Sequence, residues 1–221
     1  MTLALYGSGE FTKNVVDIDE HIIKTYRPQT IAILPTAAGQ ETDFYKWLDM
    51  ANDHYRQFNL PVISLPIINA MQANDPQQIA PLEKADWIFF SGGDPNYLYS
   101  VLKDSQLWDM VKTKHANGTL VSGSSAGAMI MGTYIMARPI IALINSSDVN
   151  WTPTFGLVPF TVLPHFNRLK KHSALLNRFI INAPEQVKSA WVGIDEDTAL
   201  IIDATQHLTI GRGQVESHLK D

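Results

Sequence analysis

Cysteine is absent from all 221 residues. That removes disulfides, thiolate metal sites and a cysteine nucleophile together, and leaves hydroxyl, imidazole and carboxylate groups for any covalent chemistry. Basic charge is also scarce: 17 Lys and Arg stand against 22 Asp and Glu, a net charge of −5, with no long run of like charge. Such a balance lacks the basic footprint of a general nucleic-acid binder, so nucleic acid is not an expected partner. Long apolar runs are missing too, and the opening MTLALYGSGEF has no charged leader and only a short apolar stretch. Neither a signal peptide nor a membrane span is expected, and a cytoplasmic location is the default. What remains is ordinary for a folded chain, with 45% hydrophobic and 18% charged residues. A chain of this length buries most of its unfolded surface, and residues 1–221 are expected to form a single domain.

Short apolar runs alternate with amphipathic stretches from the start: TLALYG, then Asp17 to Tyr26, TIAILPTA, then Asp43 to Phe58, VISLPI, then Gln77 to Lys84, and DWIFFSGG. Continuous apolar runs mark strands buried on both faces, and the intervening helices supply the crossovers of a parallel sheet. The pattern predicts a doubly wound α/β fold, mostly parallel, with helices on both faces. PNYLYSVLKDSQLWDMVKTKHANG reads as one helix stopped at Asn117-Gly118, TLVSGSS as a strand, and AGAMIMGTYIM as a helix. From Ala137 to Pro164 the prolines and the polar NSSDVNWTPTFG suggest a long surface excursion before the strand FTVLPHF. A helix over RLKKHSALLNRFIINA and a set of short C-terminal strands with turns complete the chain. These strands are expected to form a small C-terminal antiparallel extension of the fold.

Of the serines in GTLVSGSSAGAMIMG, only Ser125 has glycine two positions away on both sides, Gly123 and Gly127. It therefore matches G-x-S-x-G between a predicted strand and a predicted helix. A nucleophile there sits on a turn so sharp that bulky neighbours would collide, so the small flanking residues answer a steric need. Ala126 would open the helix and offer an unpaired backbone N–H to a developing oxyanion. The simpler alternative is a close-packed turn, or an anion site at a helix start.

A serine hydroxyl needs a base within hydrogen-bond reach. His165, in VLPHF, stands where an apolar strand ends and Pro164 stiffens the chain, at the carboxyl edge where α/β sites lie. His172 falls inside a predicted helix, and His207 and His218 fall in the polar C-terminal strands. Gly92 and Gly93 follow another apolar strand in FFSGGDPNYL, and Gly93 is a candidate second oxyanion donor.

The segments SGGDPNYL, GSSAGA, GLVPFTVLPHF and GIDEDTAL, in that order, resemble the dipeptidase E and cyanophycinase family of serine peptidases. The likeness runs from about Asp86 to Ile202, and the serine turn with PHF forty residues on is its most specific pair. The resemblance implies a flavodoxin-like fold related to class I glutamine amidotransferases, with serine where those relatives carry cysteine. It further implies cleavage of dipeptides that begin with aspartate, or of a β-aspartyl-arginine polymer, with Ser125 as nucleophile, His165 as base, and Gly93 and Ala126 as the oxyanion hole. No metal or organic cofactor is implied, the partner is a small peptide substrate, and a homodimer is compatible with the likeness.

The third triad member is less plain. Where the resemblance places an acid shortly after the serine, the stretch IIAL has none, and Asp148 is the only carboxylate between Ser125 and His165. Asp148 is therefore the candidate acid, with Asn150 or a backbone carbonyl as substitutes for orienting the imidazole. In GIDEDTAL, Asp195, Glu196 and Asp197 read as an acidic turn before a strand, or as a site for a substrate amino group. Positive charge at a helix start opposes the helix dipole, so Arg168, Lys170 and Lys171 either face water or serve an acidic ligand. Candidate substrate-binding residues are Gly92, Asp94, Arg168 and Lys171. Two other classes fit parts of the pattern: an amidotransferase-like binding or regulatory protein without a working triad, and an α/β-hydrolase esterase, for which forty residues between serine and histidine is short.

Overall fold

The structure, a computed structural model, describes residues 1–136, 150–171 and 183–219. Its centre is a seven-stranded sheet in the order β11-β10-β1-β5-β4-β2-β3. Strands β1 (Leu3–Tyr6), β2 (Ile31–Leu34), β4 (Trp87–Phe90) and β5 (Leu120–Ser124) are buried at every position. With the edge strand β3 (Val62–Ser64) they run parallel. Sealing both faces with helices is what allows such apolar runs to persist along whole strands.

Side-chain alternation divides the packing on the central sheet into two cores, one on each face. Ala4, Tyr6, Ile31, Ile33, Trp87 and Phe89 pack on one face against α1 (Val16–Tyr26) and α2 (Tyr45–Arg56). Leu3, Leu5, Leu34, Ile88 and Phe90 pack on the other. That second face is covered by α3 (Ala70–Ala73), α4 (Pro76–Ile79), α5 (Pro95–Leu102), α6 (Gln106–Ala116) and α7 (Ala126–Met129).

Three predicted helices are shorter than their apolar period suggests. The stretch after Pro95 breaks into α5 and α6, because Asp104 takes a φ of 58° and the Ser105 hydroxyl accepts the Trp108 N–H to start a new helix. The segment after Ser125 is helical only to Met129; Gly132 then lies against the Phe160 carbonyl, and the chain turns into β6 (Tyr134–Met136), paired with β7 (Trp151–Pro153). Residues Ala80–Lys84 form a 3₁₀ stretch rather than a continuation of α4.

The C-terminal strands divide between two sheets. Strands β10 (Thr198–Ile202) and β11 (His207–Gly211) extend the central sheet antiparallel to β1. A second sheet, in the order β12-β9-β8, joins β8 (Thr161–Pro164) parallel to β9 (Ala190–Ile194), with β12 (Val215–Leu219) antiparallel. Helices α8 (Phe166–Lys171) and α9 (Glu185–Ser189) flank it. The carboxyl ends of β1, β4, β5, β8 and β9 all carry residues of the candidate site.

Candidate active site

Ser125 stands at the junction of β5 and α7 with φ 48° and ψ −107°, a conformation that L residues rarely adopt. The strain is held by close backbone packing. A Cβ on Gly123 would lie 2.2 Å from the Gly127 carbonyl carbon, and one on Gly127 would lie 2.3 Å from the Phe90 carbonyl oxygen. Only glycine fits at either position, which is the steric reason for the pattern around the serine. The Ser125 N–H donates to the Tyr6 carbonyl at 3.0 Å, so the turn is also pinned to the end of β1.

His165 follows Pro164 at the end of β8 and takes φ 67° before α8 begins. Its carbonyl accepts the Arg168 N–H at 3.0 Å, which ties the strained residue to the first turn of α8. Phe166 lies flat over Gly193 of β9, where a Cβ would come within 2.4 Å of the ring. The imidazole of His165 reaches across the sheet edge, where Nε2 sits 2.9 Å from Ser125 Oγ.

The far ring nitrogen faces Glu196: Nδ1 and Oε1 are 2.9 Å apart. Glu196 lies in the turn between β9 and β10, its N–H donating to Asn167 Oδ1 at 3.2 Å and its carboxylate 2.9 Å from Arg168 Nε. Partial burial pushes the Glu196 carboxyl up. The hydrogen bond from His165, the Arg168 charge and the Asn167 amide oppose that and together hold it below the ordinary carboxylate range. An ionised carboxylate accepts only, so the imidazole proton sits on Nδ1 and Nε2 is left as the acceptor facing the serine hydroxyl.

The register of β8 and β9 accounts for this meeting. Pro164 pairs with Ile194 in parallel, so the residues just beyond each strand emerge side by side, about 4.8 Å apart. The three acids then divide by direction. Asp195 is buried, accepts the Gln214 N–H at 3.0 Å and has Lys170 Nζ 3.6 Å away; Asp197 accepts from the Asn14 side-chain amide at 2.9 Å. Glu196 alone turns to His165. The run of acids at the end of β9 was the signal; seeing which acid matters requires the β8–β9 pairing. Asp148 lies outside the described residues, and Asn150 is exposed.

The other candidate residues separate as follows. Ala126 opens α7, where its N–H has no carbonyl within the helix to meet. In the turn after β4, Ser91 N–H donates to Leu34, Gly92 N–H to Glu10 Oε1 at 2.7 Å, and Asp94 N–H to Ala37, while Gly93 N–H has no acceptor among the described residues. Gly92 thus has no amide to offer a ligand. The Asp94 side chain caps α5 by accepting the Asn96 and Tyr97 N–H groups. Among the described residues the Arg168 side chain is held through Nε alone, and it is 70% exposed; Lys170 is engaged with Glu216 and Asp195, and Lys171 is exposed. Among the described residues no group of three or more His, Asp or Glu side chains is arranged to hold a metal ion, and no helix is long and apolar enough to cross a membrane.

A strained serine at a strand-to-helix turn, backed by an imidazole and a carboxylate at the edge of a mostly parallel sheet, has the site geometry of the serine peptidase class. The sequence matches the model of peptidase family S51 over residues 3–210, and the chain belongs to that family. It is 28% identical over 196 residues to a cyanophycinase of Geminocystis herdmanii, covering 84% of this chain and 67% of the relative. It is 26% identical over 166 residues to peptidase E of Haemophilus influenzae, covering 73% and 69%. The chain spans about half the length, 51%, of cyanophycinases from Trichormus variabilis and Nostoc. Among solved structures, a peptidase from an acI-B1 actinobacterium superposes with a TM-score of 0.84 at 26% identity, covering 99% of this chain and 90% of that one.

Proposed function

We propose that this protein hydrolyses a short peptide or isopeptide bond next to an aspartyl residue, through an acyl-enzyme on Ser125. The observation that carries the reading is the unbroken relay from Ser125 Oγ through His165 to Glu196, with both links at 2.9 Å. Ser125 Oγ attacks the carbonyl carbon of the scissile bond while His165 Nε2 takes its proton. The oxyanion that forms is met by the N–H groups of Ala126 and Gly93. Nε2 then gives the proton to the leaving amine, and water repeats the sequence to release the acid and restore the serine. Glu196 holds the imidazole in the reactive tautomer and stabilises its charged form.

The aspartyl preference rests on Arg168. Its Nε is fixed on Glu196, and its terminal nitrogens have no partner among the described residues, so they can meet a substrate carboxylate beside the nucleophile. The name peptidase E, carried by several relatives, agrees with a peptide substrate and does not bear on the side chain preferred. The alternative of a binding protein without a working triad rests on the lack of an acid beside the histidine, and the 2.9 Å contact between His165 Nδ1 and Glu196 Oε1 supports the hydrolase over it. The test is turnover of a panel of N-terminal aspartyl dipeptides and β-aspartyl peptides against their asparaginyl counterparts. Wild-type protein is expected to cleave at least one aspartyl member, with Ser125→Ala slower by about 10⁴-fold or more. Equal turnover by the variant would overturn the reading.

A further inference from the structure

Outside the relay, one buried carboxylate lies directly beneath the site: Glu10, on the loop that follows β1. It is 5% exposed and has no cationic partner among the described residues. Each of its oxygens accepts one hydrogen bond: Oε1 from the Gly92 N–H at 2.7 Å, Oε2 from the Ser124 hydroxyl at 2.5 Å. Ser124 immediately precedes the nucleophile, and Gly92 immediately precedes the glycine whose N–H lacks an acceptor. One carboxylate therefore bridges the two halves of the oxyanion hole, the elbow that carries Ala126 and the turn that carries Gly93.

The packing around this bridge is tight. A Cβ on Gly92 would lie 2.8 Å from Glu10 Oε1 and 3.6 Å from the Ser125 Cβ, so Gly92 is held between the carboxylate and the nucleophile. On its other side the turn rests on Ala37: a Cβ on Gly93 would lie 2.4 Å from the Ala37 carbonyl, which also accepts the Asp94 N–H at 2.9 Å. Gly93 itself has φ 143°, a backbone that only glycine adopts without strain. With the amides of residues 92 and 94 fixed, the direction of the Gly93 N–H between them is fixed as well. A donor aimed in advance at the developing charge needs no reorganisation during the reaction, which is where oxyanion holes gain their effect.

We infer that Glu10 is a positioning residue for the reaction, setting the distance and direction of the Gly93 N–H relative to Ser125 Oγ by clamping Gly92 to Ser124. This rests on the peptidase reading given above. It predicts a loss confined to the chemical step, because the clamp touches neither the leaving group nor the substrate side chains.

The test is the steady-state kinetics of Glu10→Ala, Glu10→Gln and Ser124→Ala on an aspartyl peptide that the wild type cleaves, with Tm measured for each. Glu10→Ala is expected to lose about a hundredfold in kcat with KM within about threefold of wild type. Glu10→Gln, whose amide can accept from Gly92 and donate to the Ser124 hydroxyl, is expected to recover to within about tenfold of wild type. Ser124→Ala, which frees one end of the clamp, is expected to fall between them. A folded Glu10→Ala protein with wild-type kcat, a loss expressed wholly in KM, or a glutamine variant as slow as the alanine one would overturn the inference. If Glu10→Ala does not fold, unchanged kcat in Ser124→Ala overturns it. Wild-type protein without turnover, or Ser125→Ala that retains it, overturns the peptidase reading and this inference together; normal turnover shared by wild type and Glu10→Ala overturns the inference alone.

Discussion

At the residue scale, the site combines two backbone strains with one electrostatic bias. Ser125 and His165 both carry positive φ, at 48° and 67°, and each has close packing beside it: the Gly123–Gly127 contact next to the serine, Phe166 on Gly193 next to the histidine. Glu196 supplies the bias. Its carboxyl lies below the ordinary glutamate range near pH 4.5 in the folded protein, through His165, Arg168 and Asn167 acting against partial burial. A depressed folded value means that Glu196 contributes stability above that range and loses it as pH falls through the folded value. The Tm of wild type should therefore exceed that of Glu196→Gln at pH 6 to 7, and the gap should shrink steadily below about pH 4.5. A gap that widens in acid would show that the carboxyl is not paired in the way described.

At the element scale, the local signals were the legible ones. Gly123 and Gly127 announce the elbow because their reason is steric and lies within five residues, and Pro164 marks the end of β8 next to its histidine. Glu196 was visible only as part of an acidic run, since its role depends on β8 and β9 pairing in a second sheet whose existence no local pattern states. The break between α5 and α6 was hidden for the opposite reason: the apolar period continues through it, and a single capping hydroxyl decides the matter. Ser105 is buried, accepting from the Trp108 N–H and donating to the Leu102 carbonyl, so it joins the two helices. Ser105→Ala should lower stability by about 1–2 kcal/mol and leave kcat unchanged, whereas Gly123→Ala should lower both stability and turnover. Urea unfolding alongside a turnover assay separates the two; a Gly123→Ala protein with normal activity would show that the elbow is not the constrained turn described.

At the scale of the molecule, residues from distant parts of the chain meet at one edge because they follow the carboxyl ends of strands that converge there. The loop after β1 supplies Glu10, the turn after β4 supplies Gly93, β5 leads into Ser125, and the second sheet brings His165 and Glu196. The alternation of apolar and amphipathic segments forecast the parallel sheet and its two helical layers, since burial on both faces imprints itself on each strand. The division of the C-terminal strands between two sheets left no such imprint: β11 and β12 carry mixed, partly exposed side chains that fit either sheet. That division is what gives the imidazole its acid.

The most direct measurement of the Ser125–His165–Glu196 relay is the rate at which a fluorophosphonate labels the folded protein, with the adduct located by mass spectrometry. The account predicts a single adduct on Ser125, slowed by roughly 10³-fold or more in Glu196→Gln and within about threefold of wild type in Asp148→Asn. No adduct on Ser125, or a Glu196→Gln protein that labels as fast as wild type, would contradict it.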